Sequence, residues 1–263
     1  MPLTPLPLLL KPLRRGRIRR LASLLLVSVF VAAVAACGGG GNSAAERDAS
    51  AVVAQVPFAV GERLVYELRD DHGVIGHGTL TVAQEGDGLV LRQEYTEATA
   101  PEGEKPTSDR SASEVDAKTL RPRSVERVIE RRDDTDQYNG EYAPDGRSVS
   151  MTKDGDSKER TLELPEHAYE NESSLWLWRT LAFAEDYRSR YVSVNTIERK
   201  RQTVELDVTG QQRITVPAGT FETWRLQIRN GRATRVAWVN VEAPHQVIQW
   251  DNGDTVFLLD EIQ

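Results

Sequence analysis

Cysteine is almost absent from this chain. Of 263 residues only Cys37 carries a thiol, which excludes an intramolecular disulfide, a cysteine-rich metal site and a dithiol redox pair. Histidine is nearly as scarce: His72, His77, His167 and His245 fall in separate segments with no ligand spacing. There is no Gly-x-Ser-x-Gly elbow, no phosphate-cradling loop and no dinucleotide fingerprint. Long apolar runs are missing beyond residue 36, and aromatic residues make up only 6%. No metal, no cofactor and no enzymatic activity is therefore expected. Adjacent carboxylates such as Asp133-Asp134, Glu170 with Glu172, and Glu185-Asp186 are what chance supplies among 40 acidic residues, and an envelope hydrolase stands only as the least favoured reading.

What is present begins at the N-terminus. Residues 1–20 hold Lys11, Arg14, Arg15, Arg17, Arg19 and Arg20 with no acid, and Leu21 to Ala36 is apolar apart from Ser23 and Ser28. A positive flank, a short apolar core and small residues at the end describe a signal peptide over residues 1–36. The run is shorter than the roughly 20 residues of a spanning helix, and Gly38 to Gly41 follow at once. Val34-Ala35-Ala36-Cys37 resembles the lipobox of bacterial lipoproteins. The resemblance implies a lipid-modified Cys37 whose acyl chains, at about 0.8 kcal/mol per buried methylene, hold the chain to a membrane. Gly38 after the cysteine implies, by lipoprotein sorting rules, the outer membrane facing the periplasm.

Residues 37–56, rich in Gly, Ala and Ser, read as the lipidated cysteine and a flexible tether reaching roughly 25 Å. Loss of residues 1–36 removes six of 33 basic residues and none of the 40 acidic ones, leaving a balance of −13. Such a charge disfavours nucleic acid as a partner.

Residues 57–263 read as one domain, mainly β, with an antiparallel curved sheet or partly open β-barrel and one packed α-helix. Period-two alternation is clearest in Gln202 to Val208, where Val204, Leu206 and Val208 share a face, and in Glu222 to Arg229, where Trp224, Leu226 and Ile228 do. Twelve further segments, from Arg63 to Leu68 through Thr255 to Leu259, follow the same rule. Turn signals such as Pro144-Asp145-Gly146, Asn230-Gly231 and Asn252-Gly253 separate them at short intervals and demand antiparallel neighbours. Gly76-His77-Gly78 marks a bulge or a close backbone approach.

One segment departs from this period. Glu170 to Phe183 offers Asn171 or Ser173 as an N-cap and then Leu175, Trp178, Leu181 and Ala182 at helical spacing. Trp176 and Phe183 lie elsewhere around that helix, so it needs cover on more than one side and is expected to plug or cap a curved sheet. Of Trp176 and Trp178, at least one is expected to face out of the helix seam, towards a cavity or a partner surface. With Trp224 and Trp238 on strands, these tryptophans are candidates to line a ligand pocket, although each serves equally well as core.

Several stretches together resemble the bacterial exported family known as domain of unknown function 3108. They are Pro57-Phe58-Ala59-Val60-Gly61-Glu62 leading into Leu64-Val65-Tyr66, Gly76-His77-Gly78, Ser174-Leu175-Trp176-Leu177-Trp178-Arg179, Val216-Pro217-Ala218-Gly219-Thr220-Phe221, and Trp238 with the terminal hairpin. The resemblance implies a partly barrel-like antiparallel sheet, distantly similar to the half-barrels of periplasmic lipoprotein carriers. The expected function is a membrane-anchored, non-enzymatic periplasmic domain that binds an apolar ligand such as a lipid. The alternative is a scaffold that binds another cell-envelope protein.

Overall fold

The structure, a computed structural model, describes residues 50, 52–100, 102–156, 158–231 and 233–263; the signal segment 1–36 and Cys37 lie outside the described residues. Fifteen strands occur among them. The first eight are β1 (Arg63–Asp70), β2 (Gly73–Glu85), β3 (Gly88–Glu97), β4 (Ser108–Asp116), β5 (Pro122–Glu130), β6 (Thr135–Tyr142), β7 (Ser148–Lys153) and β8 (Arg160–Glu163). The remaining seven are β9 (Ala168–Glu170), β10 (Arg188–Asn195), β11 (Lys200–Val216), β12 (Gly219–Asn230), β13 (Ala233–Asn240), β14 (Val247–Asp251) and β15 (Val256–Ile262).

All fifteen join one sheet in the order β8-β7-β6-β5-β4-β3-β2-β1-β15-β14-β13-β12-β11-β10-β9. Neighbours are antiparallel, as the tight turns require, except that β9 runs parallel to β10. The two edge strands, β8 and β9, are separated in sequence only by residues 164–167, so the sheet must curl until its edges approach. They do not pair, and the barrel stays open. Side chains span the gap instead: Arg201 donates to the Glu163 carbonyl and Arg199 to the Lys158 carbonyl.

Alternation places one residue set inside the curve. On β2 these are Leu80 and Val82, with Thr79 and Thr81 outside. Gly78 also points inward, and a Cβ there would lie 2.8 Å from the Tyr95 ring, while one on Gly76 would lie 2.6 Å from the Thr96 carbonyl. The register of β1 against β2 shifts opposite Gly76. Both the bulge and the close approach expected of Gly76-His77-Gly78 are thus present. On the long β11–β12 hairpin the register breaks between Val208 and Gln211, at Gly210 with φ +122°, and the hairpin tip then bends over the barrel so that Ala218 N–H bonds to the Leu259 carbonyl.

The inside of the curve is occupied by the chain itself. Residues 168–181 run through it, and every one of them is buried. The expected helix Glu170 to Phe183 contracts here to a 3-10 turn (Asn171–Ser173), a single turn of α-helix, α1 (Ser174–Leu177), and a second 3-10 turn (Trp178–Thr180). Neither Asn171 nor Ser173 caps it; the Asn171 amide bonds to Glu172 and the Ser173 hydroxyl to the Glu170 carbonyl instead. Surrounded on all sides, the segment has no solvent face to support a regular amphipathic helix.

The start of the domain is likewise corrected. Val52 is 2% exposed, Ser50 N–H bonds to the Arg190 carbonyl and Ala54 N–H to the Thr180 carbonyl at 2.8 Å. Residues 50 and 52–56, expected within the tether, therefore belong to the fold. With Phe58, whose ring lies 4.8 Å from the Arg179 guanidinium, they strap one end of the barrel over the interior segment.

Candidate functional site

On one side of the interior segment the packing is apolar. Trp176 is fully buried and Trp178 is 4% exposed, so neither faces outward as one was expected to. The Trp178 ring lies 5.9 Å from that of Trp250, which lies 4.7 Å from Phe257, which meets Tyr95 edge-on at 5.5 Å. Trp178 Nε1 donates to the Tyr191 hydroxyl at 3.1 Å. The space between sheet and helix, where a ligand was expected, is filled by these rings.

Trp224 and Trp238 stand elsewhere. Trp224 shares the inner face with Leu226 and Ile228, is half-buried, and stacks on Phe183 at 6.1 Å. Trp238 lies on the outer face, its Nε1 bonded to Gln212 and the Arg225 guanidinium 5.9 Å from its ring. The structure does not bring the four candidate tryptophans into one site.

The other side of the segment is charged. Arg127 of β5 makes a two-pronged contact with Asp109 of β4, at 2.8 and 2.5 Å, and donates to Glu172 at 2.8 Å. All three side chains are 4% exposed or less. Gln93 donates to the Glu172 carbonyl and accepts from the Tyr95 hydroxyl. On β6, the strand beside β5, the Tyr142 hydroxyl donates to Glu170 Oε2 at 2.5 Å, and Thr196 Oγ1 donates to the same oxygen at 3.1 Å, while Oε1 has no hydrogen-bond partner among the described residues. Burial, the largest influence on Arg127, works against its charge; the Glu172 and Asp109 carboxylates outweigh it and raise its pKa. Glu170 has no ion-pair partner among the described residues. Burial first, and the neighbouring Glu172 carboxylate second, push its pKa up to about 8, so it is mostly protonated at neutral pH.

Sequence reasoning noticed Glu170 and Glu172 only as a chance pair and passed over Asp109 and Arg127. A signal existed in β4, where Asp109, Ser111 and Ser113 alternate with Arg110, Ala112 and Glu114. With only Val115 apolar on that face, the strand has to turn a largely polar one inward. These carboxylates converge and one is shifted, yet Glu170, Glu172 and Asp109 have no more than 3% exposure. What they do in the described structure is fix the interior segment.

A cavity of about 630 Å³ opens beside this cluster, between the β4–β5 and β6–β7 turns. Its floor includes Tyr142, and Pro122, Ala143 and Pro144 supply further apolar lining. Because the Tyr142 hydroxyl is held by Glu170, the cavity meets the ring and not the polar tip. The β4–β5 turn is rigid: Asp116 Oδ1 accepts from the backbone N–H groups of Lys118 and Thr119 and from the Thr119 hydroxyl, and Leu120, fully buried at φ +53°, pins the loop to the core. That hydroxyl bond, ahead of the others, lowers the Asp116 pKa. Across the cavity, Gly146 N–H bonds to the Ala143 carbonyl and Arg147 N–H to Asp145. Arg121 and Arg123 stand at the rim.

Among solved structures, one shares the β-barrel-like fold. A β-barrel-like protein of domain of unknown function DUF1849 from Brucella abortus aligns with TM-score 0.52 at 12% identity, covering 78% of this chain and 97% of that one. A protein described as exported, with a YmcC-like fold, from Bacteroides fragilis aligns with TM-score 0.28 at 12% identity, over 81% of this chain and 100% of its own. One described as a lipoprotein, from Parabacteroides distasonis, gives 0.30 at 12% identity, with coverages of 81% and 100%. No curated protein matches the chain. Among family profiles, the one described as protein of unknown function (DUF3108) matches residues 66–256.

Proposed function

From the premise that this chain belongs to the DUF3108 family, we propose that it is a lipid-anchored, non-enzymatic domain of the cell envelope that holds one apolar or amphiphilic ligand. The observation that carries this reading is the cavity of about 630 Å³ with its Pro122, Tyr142, Ala143 and Pro144 lining. Pockets for drug-sized ligands run roughly 300–1,000 Å³ and are mostly apolar with a few placed polar groups. The ligand position thus shifts from the filled space beside Trp176 and Trp178 to the end of the barrel.

Anchoring rests on Val34-Ala35-Ala36-Cys37, and an outer-membrane, periplasm-facing location rests on Gly38. The absence of catalysis rests on the inaccessibility of the carboxylates around Arg127. Two measurements test the reading. Radiolabelled palmitate is expected to enter the wild type and not Cys37→Ser. Native mass spectrometry of the protein taken from its membrane is expected to show one non-covalent acyl species; a bare protein that also refuses a fluorescent fatty acid would overturn ligand binding.

A second reading, a scaffold for another envelope protein, is favoured by the filled interior and by the exposed edge strand β8, a surface on which an extended partner segment could add a strand. It predicts a cross-linked partner in vivo that is lost when β8 carries a proline.

A further inference from the structure

The charges around the end cavity are unevenly matched, and the imbalance bears on ligand chemistry. Arg123 faces three carboxylates, Asp87 at 2.6 Å, Glu114 at 3.5 Å and Asp116 at 3.8 Å, and has no capacity to spare. On the side where Gly146 meets the rim the ratio is reversed. Arg121 and Arg147 both lean on the single carboxylate of Glu166, at 4.0 and 3.4 Å, and their side chains are 45% and 52% exposed. The other acid of that turn, Asp145, directs its Oδ1 to the Arg147 backbone N–H. Two guanidiniums therefore share one carboxylate at long range, Arg121 donating also to the Glu166 backbone carbonyl at 3.2 Å; Arg121 lines the opening, and Arg147 follows Gly146, which lines it too.

We infer that this cavity receives a single-chain amphiphile with an anionic head, the head seated between Arg121 and Arg147 and the chain laid over Pro122, Tyr142 and Pro144. The inference rests on the ligand-binding reading above and gives it a site and a chemistry. Planar guanidinium forks suit a carboxylate or phosphate and bind it more strongly than a neutral group. The volume admits one drug-sized molecule, which favours one alkyl chain over a diacyl lipid. Both flanking turns are internally hydrogen-bonded, so binding orders little that is not already ordered.

The test uses the full-length protein in vesicles of phosphatidylcholine and two photoreactive probes, diazirine palmitic acid and its methyl ester, followed by peptide mapping. Saturable labelling by the acid within residues 116–123 and 142–147 is expected, reduced about tenfold in an Arg121→Gln, Arg147→Gln double variant, an effect of about 1.4 kcal/mol. The ester is expected to label weakly in both proteins. A second variant, Ala143→Trp, fills the cavity and is expected to abolish labelling by the acid without touching the arginines. A parallel arm with photoreactive lysophosphatidic acid separates a phosphate head from a carboxylate; stronger saturable labelling by either at these segments supports the inference. Equal labelling by acid and ester, or labelling at other segments, overturns the anionic site while leaving an apolar ligand in place. No saturable labelling by any probe, together with no co-purified lipid, overturns the ligand reading itself.

Discussion

The two flanks of the interior segment solve the same problem with opposite chemistry. Towards β14 it presents Trp178 to Trp250, which in turn meets Phe257 of β15, with Trp176 fully buried beside it in the chain. Towards β4, β5 and β6 it presents Glu170 and Glu172 to Tyr142, Arg127 and Asp109. The apolar flank tolerates repacking, since area and volume decide its energy. The charged flank gains little net energy from its ion pairs once desolvation is counted, but only one placement satisfies them. Stability is thus expected to reside chiefly on the first flank and positional uniqueness on the second.

Four tests would break or sharpen that contrast. Trp176→Ala removes a fully buried ring and is expected to cost about 3–5 kcal/mol in denaturant unfolding. Arg127→Met strands Asp109 and Glu172 without their cation and is expected to cost about 3 kcal/mol. Adding Asp109→Leu and Glu172→Met to it should recover most of that loss; failure to recover would show that the cluster contributes stability and not placement alone.

The third test is pH. Glu170 has its pKa raised from 4.5 to about 8, so between those values the folded state keeps a proton that the unfolded state has released. Its contribution to stability is therefore complete below about pH 4.5 and falls as pH rises to about 8, beyond which it levels off. The difference in unfolding free energy between wild type and Glu170→Gln should show this slope. It should not be confused with acid unfolding, which involves groups of the opposite sense such as Asp116 and Asp136, whose pKa values are lowered, the latter chiefly by Lys153 and Arg131. The smallest effect belongs to Trp238→Ala on the outer face, expected at about 1 kcal/mol or less.

The same contrast explains what was legible beforehand. Wherever apolar residues alternated, as in Val204, Leu206 and Val208, strands were readable and the antiparallel order followed from turns such as Asn230-Gly231. β9 was not, because three residues are too few to show a period and its partner is parallel. The interior segment was recognised as a plug from its broad apolar surface, but its helical length was overstated, since Leu175 to Leu181 keeps helical spacing while buried partners hold it in short turns. The charged cluster stayed hidden because Arg127, although it shares the face of Val125 and Ile129, is of a residue type that ordinarily lies at the surface. The cavity draws its walls from two turns distant in sequence, a proximity that only the curl of the sheet creates.

The strap over the barrel end gives the N-terminal segment a mechanical connection. Ala54 is bonded to Thr180, Phe58 lies over Arg179, and Arg179 in turn grips Glu62 with both prongs and the Pro244 carbonyl. Ser50 is bonded to Arg190 of β10 as well, so tension arriving from the direction of residue 50 is divided between the sheet and the interior segment, and the part of the molecule most deeply enclosed still feels a pull made far outside it.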